Sequence, residues 1–427
     1  MISGRDVIII SSIEWDFLWQ AHQEIASRLA TAGNRVLYIE NTGVRAPRLR
    51  DSRRVAHRFW NWLRSLLNGG VREIEANLFV CSPLALPPFA GSWRRFLNQR
   101  WFLPLIARTV RKLNLSDPLL WTYLPTNTAL DLVTLLGTPA SVMVYYCADN
   151  FSQLTSRTAE LGDSERGILK AADVVFATCA ELAENCRKWN GNVHIFPAGV
   201  NLEAFPLHND ASRAYSKNTN GNAVEAIRHL SRPIIGYVGG VHDHIDFRLL
   251  IDLARSRPTW SLVLVGTLQT SVGDLSNLAN VHFMGQQPHD SLAAYLHEFD
   301  VCIVPYVTSA YTATVVPTKI NEYLAAGKAV VSTNLPAVVE LNRQYDVLQT
   351  SSPRSADFLS AIERTLMMPE NGDIKAQRRR VAEQSDWGLR LEQMSQLIEI
   401  ELRRKENAAV SHEVSQQRLA SKRASSA

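Results

Sequence analysis

PTKINEYLAAGKAVVST, residues 317–333, combines a short helical pattern, a helix stop and the start of a buried strand. Ile320 and Tyr323 lie three positions apart, which places both apolar side chains on one buried helix face. Pro317 suits the first helical position, where its missing N–H is harmless, and Gly327 suits the end of the helix. A helix that leads directly into an apolar run is typical of a sheet with crossover helices.

Short β-branched runs like the one that ends this stretch recur along the chain and alternate with helical patterns. We predict strands at residues 6–10, 35–39, 78–81, 119–123, 141–146, 173–177, 194–196, 234–238, 261–265, 281–283, 301–305, 329–332 and 346–348. Because runs this apolar suit strands that are covered on both faces, they indicate parallel sheets with helices on either side. The two series of runs predict an α/β protein with two Rossmann-like, doubly wound domains.

A polar segment separates the two series and predicts the domain boundaries. We place an N-terminal domain at residues 1–200 and a linker at residues 201–232, because residues 209–222 are rich in Ser, Asn, Gly and charge. The C-terminal domain follows at residues 233–385, and a helix at residues 386–402 is expected to pack back toward the N-terminal domain. Residues 403–427 have no hydrophobic period and many Ser, Arg and Glu residues, which predicts a disordered tail.

The composition excludes several classes of function. The 427 residues carry a formal net charge of only +4, and no recognition motif is present, so nucleic acid is not an expected partner. The five cysteines are scattered without a C-x-x-C pair, as expected for free thiols in a reducing compartment. No apolar stretch approaches the length of a membrane span. We therefore expect a cytoplasmic protein.

Lys319 lies in the first turn of the opening helix, where the helix dipole disfavours a cation by up to about 1 kcal/mol. An anion held at the same helix start would reverse the sign of that effect. Glu322, one turn further in, could accept hydrogen bonds from two neighbouring hydroxyls, as a carboxylate does on a ribose. Alternatively, Lys319 and Glu322 form a surface ion pair worth about 0.3 kcal/mol. The long polar loop before the helix favours a ligand, because open α/β sheets bind ligands beyond the carboxyl ends of their strands.

Two more predicted strands of the C-terminal domain end in glycine. The strand at residues 234–238 leads into Gly239 and Gly240, and the strand at residues 261–265 leads into Gly266. Glycines allow backbone N–H groups to approach phosphate oxygens, and a strand ending in glycine could approach a base or ribose. A tight turn is the alternative explanation at each of these positions.

The ordered set of these features resembles the nucleotide-sugar glycosyltransferases of the GT-B fold, and most of all their group 4 family. The segments that carry the resemblance are Gly239-Gly240 and residues 262–266, 280–285, 294–305 and 317–336, with looser support from residues 15–22, 35–40, 145–151 and 172–177. Among its relatives the chain is similar to bacterial enzymes of surface-polysaccharide and cell-wall-polymer assembly. The resemblance implies that the two Rossmann-like domains face each other across a cleft.

The resemblance assigns the nucleotide sugar to the C-terminal domain and implies that Glu322 contacts the ribose. The residues expected around the donor are Gly239, Gly240, His242, Gly266, Thr318, Lys319 and Glu322. The family glutamate eight positions before Glu322, which usually contacts the sugar, is replaced here by Thr314, and the basic pair that many relatives carry after the first strand is absent. Lys319 is then expected to meet the diphosphate charge, with His242, Arg248 and loop N–H groups as further candidates.

The N-terminal domain of the family usually carries the acceptor site and a residue that faces the reacting sugar. Asp149 follows the predicted strand at residues 141–146 and is the candidate catalytic residue, which could polarise a donor hydroxyl or help to deprotonate the acceptor. Capping of the following helix is an equal alternative. Glu14 and Asp16, which follow the first strand, are secondary candidates.

A metal or a cofactor is not expected. No Asp-x-Asp occurs, and His242 and His244 with Asp243 and Asp246 lack the spacing of a typical zinc ligand set. In the GT-B fold the donor charge is met by basic groups and helix dipoles. We therefore expect the nucleotide-diphosphate sugar as substrate and no required metal.

Two segments of the N-terminal domain, residues 53–67 and residues 93–103, are both basic and aromatic. In the first segment the residues assigned to an acceptor or membrane surface are Arg53, Arg54, Arg58, Trp60, Trp62 and Arg64. Both segments suit amphipathic helices with arginine and tryptophan at a lipid interface, as on the inner face of the cytoplasmic membrane. The alternative is a helix with a buried apolar face and solvated arginines.

Together these features predict a glycosyltransferase of the hexosyltransferase class. It is expected to move a sugar from a nucleotide-diphosphate donor to an acceptor hydroxyl of a lipid-linked or growing polysaccharide, and the resemblance implies retention of the anomeric configuration. One alternative is a nucleotide-sugar epimerase on the same fold, which would need further acids and bases. The other is a non-catalytic nucleotide-sugar-binding subunit, which the threonine at position 314 makes conceivable.

Overall fold

The computed structural model describes residues 1–40, 71–83, 85–86, 92–151, 158–207 and 221–424. The chain divides into two compact units. Unit 1 comprises Met1–Phe196 together with Arg390–Ala427, and unit 2 comprises Pro197–Leu389.

Unit 1 contains an eight-stranded sheet with the strand order β3-β4-β2-β1-β5-β6-β7-β8. The strands are β1 (Asp6–Ile10), β2 (Arg35–Ile39), β3 (Arg72–Glu75), β4 (Leu78–Cys81), β5 (Leu119–Thr122), β6 (Met143–Cys147), β7 (Val174–Ala177) and β8 (Val193–Ile195). The helices are α1 (Ala21–Thr31), α2 (Ser92–Leu97), α3 (Leu103–Lys112), α4 (Asn127–Leu136), α5 (Thr158–Ala171) and α6 (Ala180–Arg187), with a π-helical turn at Asn98–Phe102 between α2 and α3. Every neighbouring pair of strands is parallel except β3 and β4, which are antiparallel at the sheet edge.

Unit 2 contains a six-stranded parallel sheet with the strand order β11-β10-β9-β12-β13-β14. The strands are β9 (Ile234–Val238), β10 (Ser261–Val265), β11 (Val281–Gly285), β12 (Val301–Val304), β13 (Val330–Thr333) and β14 (Gln349–Ser351). The helices are α7 (Gly221–Arg228), α8 (Phe247–Ser256), α9 (Leu292–Glu298), α10 (Thr318–Ala325), α11 (Pro336–Tyr345), α12 (Ser355–Met367) and α13 (Gly372–Glu383), and α14 (Trp387–Ala424) begins at the end of this unit. Short 3-10 turns lie at Gly273–Asn277, His289–Ser291 and Thr312–Thr314.

The predicted α/β architecture with two doubly wound parallel sheets is confirmed. All five residues of β1, β6, β9 and β10 are buried, as expected for strands covered by helices on both faces. The predicted bounds of β1, β2, β4, β9 and β10 agree with the structure to the residue. The helix stop is also as predicted, because Gly327 follows α10 with a φ of 70° and its N–H donates to the carbonyl of Leu324 at 2.9 Å.

One predicted strand is wrong and one strand was not predicted, while the bounds of several other strands are shifted by one or two residues. The strand predicted at residues 346–348 is wrong, because Asp346 ends α11 in a left-handed conformation with a φ of 48° and the last strand begins only at Gln349. The sequence did not predict β3, whose residues alternate between half-buried and exposed. An edge strand of this kind has no continuous apolar run, so its sequence does not predict a strand.

The prediction of a disordered tail from residue 403 is also corrected, because α14 continues to Ala424. The segment has no glycine or proline and many Ala, Glu, Gln, Lys and Arg residues, which are strong helix formers. Polar contacts within unit 1 are made at the start of this segment and just before it: Lys405 lies 2.7 Å from Asp173, and Asn192 donates to Glu401 at 3.0 Å. The sequence from residue 403 has no hydrophobic period, so periodicity alone did not predict this part of the helix.

Each sheet has one point where the direction of winding reverses. In unit 2 the reversal lies between β9 and β12, and in unit 1 it lies between β1 and β5. Loops on either side of such a switch point diverge beyond the carboxyl ends of the strands, and the crevice between them is where open α/β sheets bind ligands. The loops after β9 and β12 are therefore the place to look for a site in unit 2.

Candidate functional site

Lys319 is held by two tyrosines that come from the strands flanking the switch point of unit 2. Its Nζ donates to the hydroxyl of Tyr306, just after β12, at 2.5 Å. The same ammonium lies 4.9 Å from the centre of the Tyr306 ring and 5.2 Å from the ring of Tyr237, which is in β9. Such cation–π contacts stabilise a charge in place. They offset part of the dipole penalty at the helix start, a compensation that the sequence alone did not reveal.

The start of α10 leaves backbone donors beside this ammonium. Thr318 is the first helical residue and is exposed, so Pro317 occupies the cap position, one residue earlier than predicted. Pro317 gives no side-chain hydrogen bond to the first turn. The N–H of Ile320 donates to the carbonyl oxygen of Pro317 at 3.1 Å, so the first-turn donors to consider are the N–H groups of Thr318 and Lys319. This helix start therefore suits an anion that would contact both the N–H groups and Lys319.

Gly239 and Gly266 allow the ends of β9 and β10 to approach each other closely. Their φ angles are 140° and 147°, which L side chains rarely adopt. A Cβ added to Gly266 would lie 1.9 Å from the carbonyl oxygen of Gly239. A Cβ on Gly239 would lie 3.0 Å from Cε and 3.4 Å from Nζ of Lys319. Both glycines are therefore required by the shape of this corner.

The hydrogen bonds of these glycines limit which of their N–H groups could contact a phosphate. The N–H of Gly239 donates to Val265 at 2.8 Å, and the N–H of Gly266 donates to Gly285 at 2.8 Å. The hydroxyl of Tyr237 donates to the carbonyl oxygen of Gly240 at 2.9 Å and holds the turn. Gly239 and Gly266 thus use their N–H groups inside the fold, and Gly240 remains the glycine to consider as a phosphate donor.

His242 follows the glycine pair and is half-buried. Its Nδ1 accepts a hydrogen bond from the backbone N–H of His244 at 3.2 Å, and its ring lies 5.7 Å from that of Tyr306. Burial, and then the charge of Lys319, lower the pKa of His242 to about 4. The lowered pKa favours the neutral ring at pH 7 in the protein without ligand, so Lys319 is a better candidate than His242 for the cation that meets a diphosphate. Arg248, the other further candidate, is exposed near the start of α8.

Replacing His242 with glutamine is expected to change the affinity for a nucleoside diphosphate by less than about threefold, because no charge is lost at pH 7. The folded protein disfavours the protonated ring, so His242 contributes stability above its ordinary pKa of 6.5, and this contribution is lost as the pH falls toward about 4. Calorimetric titration at pH 7 measures the affinity. A loss of tenfold or more at that pH would show that the imidazole itself is needed.

Glu322 lies one turn into α10 and is half-buried. Burial raises its pKa, while the charges of His289 and Lys319 act in the opposite direction. His289, in the 3-10 turn before α9, was not predicted; its ring packs edge-on against Phe205 at 5.5 Å. The end of a strand can be predicted from the sequence. The proximity of His289 to Glu322 cannot, because it depends on how distant segments pack together.

Thr314, which stands at the position of the family glutamate, is buried in the turn before α10. Its hydroxyl donates to the carbonyl oxygen of Tyr311 at 2.8 Å. The threonine therefore has a local structural role, and it offers no carboxylate to a sugar.

In unit 1, Asp149 lies two residues beyond the end of β6 and is half-buried. Thr178 donates to the carbonyl oxygen of Ala148 at 3.1 Å, and Phe151 donates to that of Asp149 at 3.1 Å, which fixes the local backbone. Because the β1, β5 and β6 strands are parallel, Asp149 shares the carboxyl edge of the sheet with the loop after β1. The capping alternative concerns residues 152–157, which lie outside the described residues.

The loop after β1 is held by buried polar side chains that the sequence reasoning missed. Glu40, just after β2, accepts from the N–H of Trp15 at 2.9 Å and from the hydroxyl of Ser82 at 2.7 Å. Gln23 is fully buried and donates to the carbonyl oxygen of Trp15 at 3.2 Å. Of the secondary candidates in this loop, Asp16 pairs with Arg72 at 2.7 Å. Glu40 and Gln23 thus position the loop. The available signal was the carboxylate of Glu40 directly after the apolar run at residues 36–39.

The other predicted residues have simpler outcomes. Arg53, Arg54, Arg58, Trp60, Trp62 and Arg64 lie outside the described residues. Asp246, one of the residues considered for a metal site, caps α8 by accepting from the N–H of Leu249 at 2.9 Å. The described ranges contain no group of three His, Cys, Asp or Glu side chains that could hold a metal ion. Nor do they contain a helix long and apolar enough to cross a membrane.

Comparison with known proteins identifies the segment that builds the unit 2 site. Residues 232–367, which include β9, β12 and α10, match the family model described as Glycosyl transferases group 1. The match covers about a third of the chain and lies wholly within unit 2. A Bacillus subtilis (strain 168) protein, assigned as a glycosyltransferase of teichuronic acid biosynthesis, is 28% identical over 266 residues. That match covers 57% of this chain and 64% of the relative.

Solved structures resemble the chain over nearly its whole length. Sucrose-phosphate synthase of Thermosynechococcus elongatus has a TM-score of 0.66 at 20% identity and covers 95% of this chain and 100% of its own. The HepE protein of Anabaena, solved with UDP and glucose, has a TM-score of 0.62 at 14% identity and covers 92% and 99%. At these identities the likeness shows the fold alone, and the two Rossmann-like units are those of the GT-B fold.

Proposed function

We propose that this protein is a glycosyltransferase that moves a sugar from a nucleoside diphosphate sugar to an acceptor hydroxyl, with retention of configuration. The observation that carries the proposal is the position of Lys319, which two tyrosines hold at the start of α10 beside the switch point of unit 2. The match to the group 1 glycosyltransferase model and a structural neighbour with bound UDP and glucose support the same class of donor.

In this proposal the donor lies against the carboxyl ends of β9 and β12. Lys319, the first N–H groups of α10 and the N–H of Gly240 contact the diphosphate, and Glu322 accepts from the ribose hydroxyls. The acceptor oxygen bonds to the anomeric carbon, the bond from that carbon to the diphosphate oxygen breaks, and the proton of the acceptor hydroxyl passes to Asp149 or to the departing diphosphate. The negative charge that develops on the diphosphate is stabilised by Lys319 and the helix start, so no metal is required.

The acceptor is proposed to be a lipid-linked or growing polysaccharide of the cell envelope. The relative assigned to teichuronic acid biosynthesis supports an acceptor of this kind. A lipid-linked acceptor implies a cytoplasmic protein that works at the inner face of the cytoplasmic membrane. Asp149 is proposed to act on the reacting hydroxyls from unit 1, as hydrogen-bond acceptor or general base.

The proposal is tested by titrating the protein with a panel of nucleoside diphosphate sugars and then measuring release of the nucleoside diphosphate in the presence of EDTA and membrane extract. We expect micromolar binding of at least one donor and release that depends on the extract. Binding without release would favour a non-catalytic subunit. Conversion to another free nucleotide sugar would favour an epimerase. Activity that EDTA abolishes would contradict the proposal that no metal is needed.

Replacing Asp149 with asparagine is expected to lower the transfer rate by about a hundredfold or more, because a side chain that assists proton transfer contributes on that scale. Donor affinity should remain within about threefold of the wild type, since the proposed donor contacts lie in unit 2. Exposed Asp163, in α5 of the same unit, provides a matched control as Asp163→Asn. Equal transfer rates for the Asp149 variant and the control would remove Asp149 from catalysis.

A further inference from the structure

Unit 1 exposes large apolar side chains on the helical segment formed by α2, the π-helical turn and α3. Trp93 is 56% exposed, Phe96 62%, Trp101 63% and Leu105 43%. Monomeric proteins rarely show several large apolar side chains together at the surface without a partner for them. The arrangement of these four side chains on the segment therefore indicates what kind of partner could cover them.

The π-helical turn at Asn98–Phe102 brings these side chains onto one face. In a continuous α-helix, Trp101 would be rotated by about 80° from Trp93, because each residue turns the helix by about 100°. A π turn takes up one extra residue, which removes about 100° of rotation and leaves the two tryptophans roughly 20° apart. Leu105, one turn later, lies on the same side. The local irregularity of the helix thus creates a continuous exposed apolar stripe.

The opposite side of the segment is anchored to unit 1. Asn98 is buried in the π turn and exchanges two hydrogen bonds with the backbone of Leu86, at 2.9 and 3.0 Å. Arg95 binds both carboxylate oxygens of Asp131 in α4, at 2.9 and 2.7 Å. These contacts hold the segment in a fixed orientation with its apolar stripe outward.

All charged side chains of the segment are basic. Residues 92–112 contain six basic side chains and no acidic one: Arg94, Arg95, Arg100, Arg108, Arg111 and Lys112. Arg94 and Arg100 lie over the rings of Trp93 and Trp101, at 5.2 and 5.8 Å from the ring centres. Amphipathic side chains of this kind place an apolar stem or ring in lipid and a charge at the headgroups.

We propose that this docking face, formed by Trp93, Phe96, Arg100, Trp101, Leu105 and Arg108, binds the surface of an anionic lipid bilayer. The aromatic rings enter the interface, and the arginines and Lys112 contact lipid phosphates. A lipid bilayer accounts for both features at once, since a purely apolar partner would leave the one-signed charge without a counterpart. The inference extends the proposed function, because a lipid-linked acceptor would be met at such a surface.

The test is co-sedimentation of the full chain with vesicles of phosphatidylcholine, with and without phosphatidylglycerol. The wild type should bind the vesicles that contain phosphatidylglycerol, and added salt should weaken this binding. The variant Trp93→Ser, Phe96→Ser, Trp101→Ser and the variant Arg100→Gln, Arg108→Gln, Lys112→Gln should each bind at least about tenfold more weakly.

Matched controls come from another exposed part of unit 1. Trp189 is 44% exposed, so Trp189→Ser controls for the loss of a surface aromatic, and Lys170→Gln, Arg187→Gln, Lys188→Gln controls for the loss of three exposed cations. Both controls should bind vesicles like the wild type, and all variants should keep the circular dichroism spectrum of the wild type.

Equal binding to the two kinds of vesicle, or undiminished binding of either docking-face variant, would overturn the inference. Titration with a nucleoside diphosphate separates this result from the proposed activity. A protein that binds the nucleotide but no vesicle contradicts the docking face alone, whereas a protein that binds vesicles but no nucleotide contradicts the proposed function alone.

Discussion

Replacing Lys319 with alanine is expected to weaken binding of a nucleoside diphosphate at least tenfold, or about 1.4 kcal/mol, and to lower the transfer rate by about a hundredfold or more. The ammonium has three donors, one of which goes to Tyr306 in the structure. The remaining donors and the full charge are available to a diphosphate. Because that charge grows as the sugar leaves, the effect on the rate should exceed the effect on binding.

The stability of the fold should change little in the Lys319→Ala variant. The variant loses two cation–π contacts and the hydrogen bond to Tyr306 but also removes a cation from the positive end of the helix dipole, and each effect is on the order of 1 kcal/mol. Thermal unfolding tests this separately from titration. Arg255→Ala, an exposed cation in the last turn of α8, is the matched control and should bind nucleotide normally. Unchanged nucleotide affinity after removal of Lys319 would exclude it from the site.

Replacing Gly266 with alanine is expected to destabilise unit 2 by more than about 3 kcal/mol and to abolish nucleotide binding. The new Cβ would lie 1.9 Å from the carbonyl oxygen of Gly239, and neither strand end can move without breaking sheet hydrogen bonds. The positive φ of Gly266 adds backbone strain of about 1–3 kcal/mol for a non-glycine residue.

Gly273→Ala is a control for a side chain placed at a positive φ without a clash. Gly273 also has a positive φ, of 54°, but a Cβ there would meet no atom within 4 Å. This control should therefore lose only about 1 kcal/mol and should bind nucleotide like the wild type. Denaturant unfolding and titration of both variants measure the difference. If Gly266→Ala were as stable as Gly273→Ala, the close approach of the two strand ends would not be a requirement of the fold.

The sequence predicts the fold well where burial imposes a strong pattern. Strands such as Ile234–Val238 and Ser261–Val265 are buried on both faces, so their residues form unbroken apolar runs. The pattern fails where burial is partial, as at the edge strand Arg72–Glu75, or where a helix is largely polar, as in the last part of Trp387–Ala424. In the latter case helix propensity was a better guide than hydrophobic periodicity.

The candidate site is predictable only at the level of strand ends. Gly239, Gly266 and Lys319 follow strands or begin a helix at the same sheet edge, so topology brings them together. The ring contacts of Tyr237 and Tyr306 with Lys319 and the approach of His289 to Glu322 depend on packing between distant segments. The neutral state of His242 could not be foreseen either, because its pKa is set by burial and by the charge of Lys319.

A crystal structure of the protein with a bound nucleoside diphosphate tests the central claim most directly. The account predicts a diphosphate oxygen within about 3 Å of Nζ of Lys319, with the N–H groups at the start of Thr318–Ala325 contacting the same group. Glu322 should then lie within hydrogen-bond distance of the ribose hydroxyls. A diphosphate bound elsewhere on the chain, away from the loops that follow Ile234–Val238 and Val301–Val304, would contradict the account.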